Sequence, residues 1–310
     1  MNGENIFSTF TKNDTCSRID TCPNRSLFIG LDEKGRPMLL LVTQYSPEVL
    51  KSTGAIDVTV GRRKDKLWAL TFSLNEPDLI DIFCQFCMDM AESSAHISSE
   101  RKAVSFLEKR YEQWLKIMAS GRKTKLSTER IKGLLGEMKF LQDFMMPKYG
   151  LKDAVLSWSG PDFAKQDFVL ENTWFEVKTV SADAEVVSIS SIDQLDTDVP
   201  GELVVMKVSP TGPKDSSGCT LNGLYKRILV KLENDPELRF SFKGKMLEAG
   251  YYPNPYYDGC VYRFEQQNHY EVNCDFPAIR RKNLPNAITK VQYQLSLSAI
   301  DRFRKGGSAT

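Results

Sequence analysis

Apolar and polar positions alternate in short runs through the first part of the chain. Residues 26–31, 38–43, 56–60 and 67–72 each read as a strand, separated by Gly, Pro or charged turns. The stretch Gly61-Arg62-Arg63-Lys64-Asp65-Lys66 reads as an exposed hairpin turn. The period then lengthens, predicting helices over about 77–92 and 99–118. The link Ala119-Ser120-Gly121-Arg122-Lys123-Thr124-Lys125 is small and basic, as expected of a domain boundary.

A third helix has a clear start. Ser127 can serve as N-cap, Leu126 and Ile131 occupy the positions of a hydrophobic staple, and Pro147 is expected to end it. Ile131, Leu134, Leu135, Met138, Leu141 and Met145 form its core-facing stripe. At about 100° per residue, Glu137 falls between Leu141 and Phe144, on the flank of that stripe. Taken alone it reads as a boundary glutamate whose head reaches water. A neighbouring acidic cluster reverses that preference.

The segment 166–178, Gln-Asp-Phe-Val-Leu-Glu-Asn-Thr-Trp-Phe-Glu-Val-Lys, supplies such a cluster. It reads as two apolar strands around a Glu171-Asn172 turn, which sets position 167 opposite 176. Side chains alternate along a strand, so Asp167, Glu176 and Lys178 converge on one face, shared with positions 169 and 174. Two carboxylates beside an ammonium make a divalent-metal site with a proton handler, suited to phosphodiester hydrolysis. The competing reading is a buried ion-pair cluster, which is costly unless it does something.

Beyond the hairpin, 185–190 reads as a third strand, 191–195 as a turn or short helix, 202–208 as a strand and 221–233 as a helix. From about 239 the chain is dense in Tyr and Phe and reads as strands again; these rings are expected to pack a small β core rather than stack on bases. Three regions are therefore expected: 1–120, β-rich with two helices; 121–235, an α/β core; and 236–310, a β-containing extension.

Composition narrows the function classes. The 310 residues are 41% hydrophobic and 26% charged, as in ordinary globular proteins. No apolar run approaches about 18 residues, so no membrane span is expected. Met1-Asn2-Gly3-Glu4-Asn5-Ile6 lacks a secretory pattern, and the expected location is cytoplasmic. Seven cysteines are scattered without a disulfide framework. Cys84 and Cys87 form a lone Cys-x-x-Cys in a helical run; zinc would need two more ligands, with Cys16 and Cys22 nearest, and buried thiols are the favoured reading. His96 and His269 are the only histidines, which nearly excludes His-based metal sites. The net charge is +1, with basic residues grouped at 62–64, 122–125, 280–282 and 302–305, each favouring a solvated loop when read singly.

Five blocks carry a family resemblance. They are Gly133-Leu134-Leu135-Gly136-Glu137-Met138-Lys139-Phe140-Leu141, Trp158-Ser159-Gly160-Pro161, Gln166-Asp167-Phe168, Phe175-Glu176-Val177-Lys178-Thr179 and Ile189-Ser190-Ser191-Ile192-Asp193-Gln194-Leu195. Helix-Glu, Asp, then Glu-x-Lys resembles the PD-(D/E)XK nuclease superfamily. The ordered set is similar to one bacterial family of that superfamily, found in restriction or phage-defence gene clusters beside an ATPase. Glu-x-Lys alone is a weak signal; the five blocks in order are far more specific.

The resemblance implies a restriction-endonuclease-like α/β core, a mixed sheet flanked by helices. It also implies a Mg²⁺- or Mn²⁺-dependent DNA endonuclease, with Glu137, Asp167 and Glu176 as metal ligands and Lys178 as the catalytic lysine. Gln194 resembles a glutamine that some relatives place beside the site, and reads equally as a helix-start residue. Pro161-Asp162 is a literal Pro-Asp, so Asp162 competes with Asp167 as the motif aspartate; the strand register favours Asp167. The expected partners are DNA and either a second copy or other subunits of a defence complex, an ATPase among them. The alternative is a catalytically silent DNA-binding or scaffold subunit.

Overall fold

The structure, a computed structural model, describes residues 6–19, 26–95, 97–119, 125–159 and 165–306. Asp162, Cys22, His96 and residues 122–124 of the basic link lie outside the described residues. The chain divides into two units, 1–125 with 250–253, and 126–249 with 254–310.

In the first unit the alternating runs form a five-stranded antiparallel sheet in the order β1-β2-β3-β5-β4: β1 (Thr15–Arg18), β2 (Ser26–Leu31), β3 (Pro37–Thr43), β4 (Ile56–Arg62) and β5 (Trp68–Leu74). The short, polar β1 carries no apolar alternation, and its pairing with β2 alone defines it. Two helices follow, α1 (Ile80–Ser94) and α2 (Glu100–Ala119). Phe72 from β5, Phe86 from α1 and Tyr111 from α2 pack ring to ring at 4.9–6.3 Å in the core. Asp89 accepts from Arg110 Nε (2.6 Å) and Trp114 Nε1 (2.8 Å), which satisfies two buried donors from α2. Cys84 and Cys87 are buried on α1, and burial pushes both thiols up.

The second unit begins with α3 (Thr128–Phe140), capped as expected by Ser127 Oγ, which accepts from Arg130 N. Pro147 does not end the helical path. A π-helical turn, Leu141–Met145, leads into α4 (Met146–Ser157), with a break at Gly150 (φ +82°). Pro147 sits in the first turn of α4, where a missing N–H costs little.

Four strands form the main sheet in the order β10-β9-β7-β6: β6 (Phe168–Val169), β7 (Trp174–Ser181), β9 (Gly201–Pro210) and β10 (Tyr262–Val272). β7 and β9 run parallel and the other pairs antiparallel, so the sheet is mixed, as the resemblance implies. The expected third strand is β8 (Val186–Ile189); it pairs with β11 (Tyr293–Ser296) in a separate two-stranded sheet. Trp174, Leu203, Val205, Val187, Ile189, Leu195 and Leu295 share one buried cluster under that pair.

Helix α5 (Leu221–Lys231) lies where expected. The strand reading from about 239 fails at its start, where Pro236–Glu248 is helix α6, and holds further on at β10 and β11. Asp235 caps α6 and Pro236 opens it, a start signal present in the sequence. Buried Leu238, Phe242, Lys243, Gly244, Met246 and Leu247 spread around much of the helix, which removes the one-sided stripe that reveals a helix by periodicity. Glu202, buried on β9, accepts from His269 Nδ1 (2.6 Å) on β10 and from Lys305 Nζ (2.8 Å). Among the described residues no helix is long and apolar enough to cross a membrane.

Candidate active site

The β6–β7 hairpin has the register its sequence predicts. Phe168 pairs with Phe175 and Val169 with Trp174, and Leu170 N donates to Thr173 O (2.9 Å) across the Glu171-Asn172 turn. One step further, Asp167 faces Glu176, and Asp167 Oδ2 accepts from Val177 N (2.7 Å). Glu176 and Lys178 alternate onto one face, where Lys178 Nζ lies 2.8 Å from Glu176 Oε1. Lys178 Nζ also donates to Gln194 Oε1 (3.2 Å), which accepts from Ser190 N (2.8 Å) as well. Gln194 therefore sits at the site, and its 3-10 turn, Ile192–Gln194, is held from below. The buried Gln166 donates Nε2 to the carbonyls of Asp193 (2.7 Å) and Gln194 (3.3 Å).

The third acid comes from α3. This helix lies close on β7 because residue 136 is glycine: a Cβ there would fall 1.9 Å from Thr179 Oγ1. The next residue, Glu137, is partly exposed, and its Oε2 accepts from Trp158 Nε1 (2.9 Å). The expected flank position is met, and the carboxylate is engaged rather than left to water.

Crowding of acids dominates the electrostatics. Burial, then the charge of Asp167, pushes the Glu137 carboxyl up to about 8, with the Trp158 N–H, Arg130 and Lys178 opposing. Burial raises Asp167 against the pull of Lys178 and the Val177 N–H. Burial and then Asp167 raise Glu176 well above the carboxylate range, although Lys178 opposes this. Three acids thus face one ammonium, and Glu176 Oε2 is buried without a hydrogen-bond partner among the described residues. Such a group must take a proton or a cation.

The residues fit a divalent cation by their chemistry. The donors are carboxylate oxygens, which Mg²⁺ and Mn²⁺ prefer, and the orphaned Glu176 oxygen is an acceptor in need of charge. Asp167 and Glu176 form the nucleus of the site. Among the described residues no three His, Cys, Asp or Glu side chains are grouped so as to hold one ion.

Compared with protein families, residues 4–298 match a family described as "Putative PD-(D/E)XK family member". The chain belongs to that family. Neither the curated proteins nor the solved structures give a match. The chain carries a triplet of the (D/E)-x-K form at Glu176-Val177-Lys178 on β7, and Asp167 bonds to its backbone.

Sequence reasoning missed the parts of Trp158, Gln166 and Arg130. Trp158 and Gln166 stand within the family-like blocks, but nothing in their spacing foretold bonds to residues 21 and 27 positions away. Arg130 lies seven residues before Glu137, two turns earlier on the same face of α3, a relation that helical periodicity could have supplied.

Proposed function

We propose that this protein is a divalent-metal-dependent DNA endonuclease, acting as the nuclease subunit of a bacterial restriction or anti-phage defence system. The observation that carries the reading is the Asp167, Glu176 and Lys178 constellation on one hairpin of a PD-(D/E)XK family member.

Asp167 and Glu176 would hold the cation, with Glu137 adding negative charge from α3. A Mg²⁺ or Mn²⁺ ion bound there supplies Lewis acidity toward a phosphodiester and lowers the pKa of water. Lys178, oriented by Glu176 and Gln194, presents its ammonium where charge grows on the phosphoryl oxygens. Gln194 would keep that ammonium in place with Glu176 engaged in holding a cation. Cutting both strands of a duplex takes two such sites, so the working form is a homodimer or a pair with a partner nuclease subunit. A partner ATPase whose nucleotide hydrolysis licenses cleavage completes this reading.

The test is incubation with plasmid, linear duplex and single-stranded DNA in Mg²⁺, Mn²⁺ or EDTA, with Glu176→Ala and Lys178→Ala alongside. Cleavage that needs the metal and is lost in both variants is expected. Undiminished cleavage by both variants would overturn the assignment. One observation favours a second reading, a DNA-binding or assembly subunit that does not cut: no three-acid group spaced for an ion occurs among the described residues. That reading predicts DNA or partner binding without cleavage, insensitive to the same substitutions.

A further inference from the structure

Trp158 is completely buried and has no part in the chemistry above, yet it touches both arms of the acidic site. Helix α4 ends on it, and its backbone turns extended (φ −69°, ψ 111°). Its indole Nε1–H donates to Glu137 Oε2 at 2.9 Å. Its backbone bridges antiparallel to Phe168, and the following Ser159 N–H donates to the carbonyl of Asp167 at 2.8 Å. One residue therefore connects the carboxylate from α3 to the strand that bears the aspartate.

Trp158 is itself pinned from α6. The Lys245 ammonium donates to the carbonyls of Val155 (2.8 Å), Leu156 (3.2 Å) and Trp158, collecting acceptors that the end of α4 leaves without helical partners. One turn earlier on α6, Phe242 lays its ring 5.9 Å from the indole, tilted by 35°. The indole thus has a fixed position in the plane of the ring and along the chain.

We propose that Trp158 is a positioning residue that sets Glu137 against Asp167, its indole N–H orienting one carboxylate while its backbone anchors the other's strand. The choice of donor fits the task. An indole N–H satisfies a buried carboxylate oxygen without adding charge, whereas Lys or Arg in that place would neutralise the acid and compete with a cation. The bond engages Oε2 of Glu137, so the orientation of the whole carboxylate follows from it.

The inference rests on the nuclease reading for its activity assay but not for its binding assay. Full-length wild type, Trp158→Phe, Lys245→Gln, Glu137→Gln and the Trp158→Phe/Glu137→Gln double variant are compared in two ways. The first is Mn²⁺ binding without DNA, read from the electron paramagnetic resonance of the free ion. The second is kcat and KM for plasmid cleavage. Trp158→Phe keeps an aromatic ring and loses the donor. It is expected to weaken Mn²⁺ binding and lower kcat by about 10–100-fold, the usual cost of removing a partner of a metal-site acid, with KM little changed.

The double variant is expected to be no worse than Glu137→Gln alone, because the indole acts through that carboxylate. Lys245→Gln is expected to move both readouts in the same direction by less, and it carries the test if Trp158→Phe does not fold. Wild-type Mn²⁺ binding and kcat in Trp158→Phe, or losses that multiply with those of Glu137→Gln, would overturn the proposal and leave the nuclease reading standing. Mn²⁺ binding that depends on Trp158 in a wild type that cuts no DNA would uphold the positioning role and overturn the nuclease reading.

Discussion

Without a divalent cation, the acidic site should make the folded protein lose stability as pH rises through neutrality. Carrying one carboxyl from an ordinary 4.5 to about 8 corresponds to roughly 5 kcal/mol, at about 1.4 kcal/mol per pH unit. Glu137 keeps partial access to solvent and shares its proton equilibrium with Asp167, so about 2 kcal/mol is the working figure. The sign follows from proton counts. Between those two pH values the folded chain binds a proton at Glu137 that the unfolded chain has released, so stability is full below about 4.5 and falls as pH rises toward 8. Asp167 and Glu176, raised for the same reason, act in the same sense.

Glu202, Asp32 and Asp215 are held low by their hydrogen bonds and charged neighbours, against the burial that would raise them. Their contribution is lost only as pH falls below the carboxylate range, outside this window. Urea denaturation followed by circular dichroism in EDTA, at pH from about 5 to about 8, should therefore show a decline of about 2 kcal/mol or more. Glu137→Gln should flatten it, and excess Mg²⁺ should reduce it, since a bound cation replaces the missing protons. A stability that is flat or rising in EDTA, or an unchanged decline in Glu137→Gln, would refute the account of the site as acids crowded beyond their countercharge.

Three further outcomes are expected. Gly136→Ala should cost about 1–3 kcal/mol in urea melts, because its Cβ would meet Thr179 Oγ1 at 1.9 Å; Thr179→Ala in the same chain should restore part of the loss. Gln194→Ala should lower kcat by about tenfold in plasmid cleavage by releasing the Lys178 ammonium, whereas Gln166→Leu should do so more weakly by loosening the turn that carries Gln194. Asp89→Ala should destabilise the protein by about 3–5 kcal/mol in the same melts, since the Arg110 guanidinium, 1% exposed, would lose the Asp89 carboxylate at 2.6 Å.

The hairpin was legible because a tight turn and strand alternation leave few registers, so Asp167, Glu176 and Lys178 could be aligned from spacing alone. The Ser127 cap and the four longer N-terminal strands were legible for similar local reasons. What was lost depends on distant partners. The second sheet of β8 and β11 joins residues about a hundred positions apart, and no local pattern announces such a pairing. Helix α6 was hidden by apolar residues distributed around it, and the helical path past Pro147 by a π turn that periodicity does not foresee. The Glu137 flank position was readable from α3, but its indole partner arrives from the end of α4, a meeting set by tertiary packing.

The polypeptide visits its two units in an order with practical weight. After leaving the first unit near residue 125 it returns for residues 250–253 before going back. Tyr251 and Tyr252, only 1% and 7% exposed, are used in that brief return, Tyr252 lying 6.5 Å ring to ring from Trp114. A fragment starting at 126 would therefore carry two orphaned tyrosines mid-chain, and one ending at 125 would have a hole where they belong. Excision at a single peptide bond cannot yield two intact pieces; mixing both fragments, so that the upstream piece can reclaim its borrowed tyrosines, is the route to a split form.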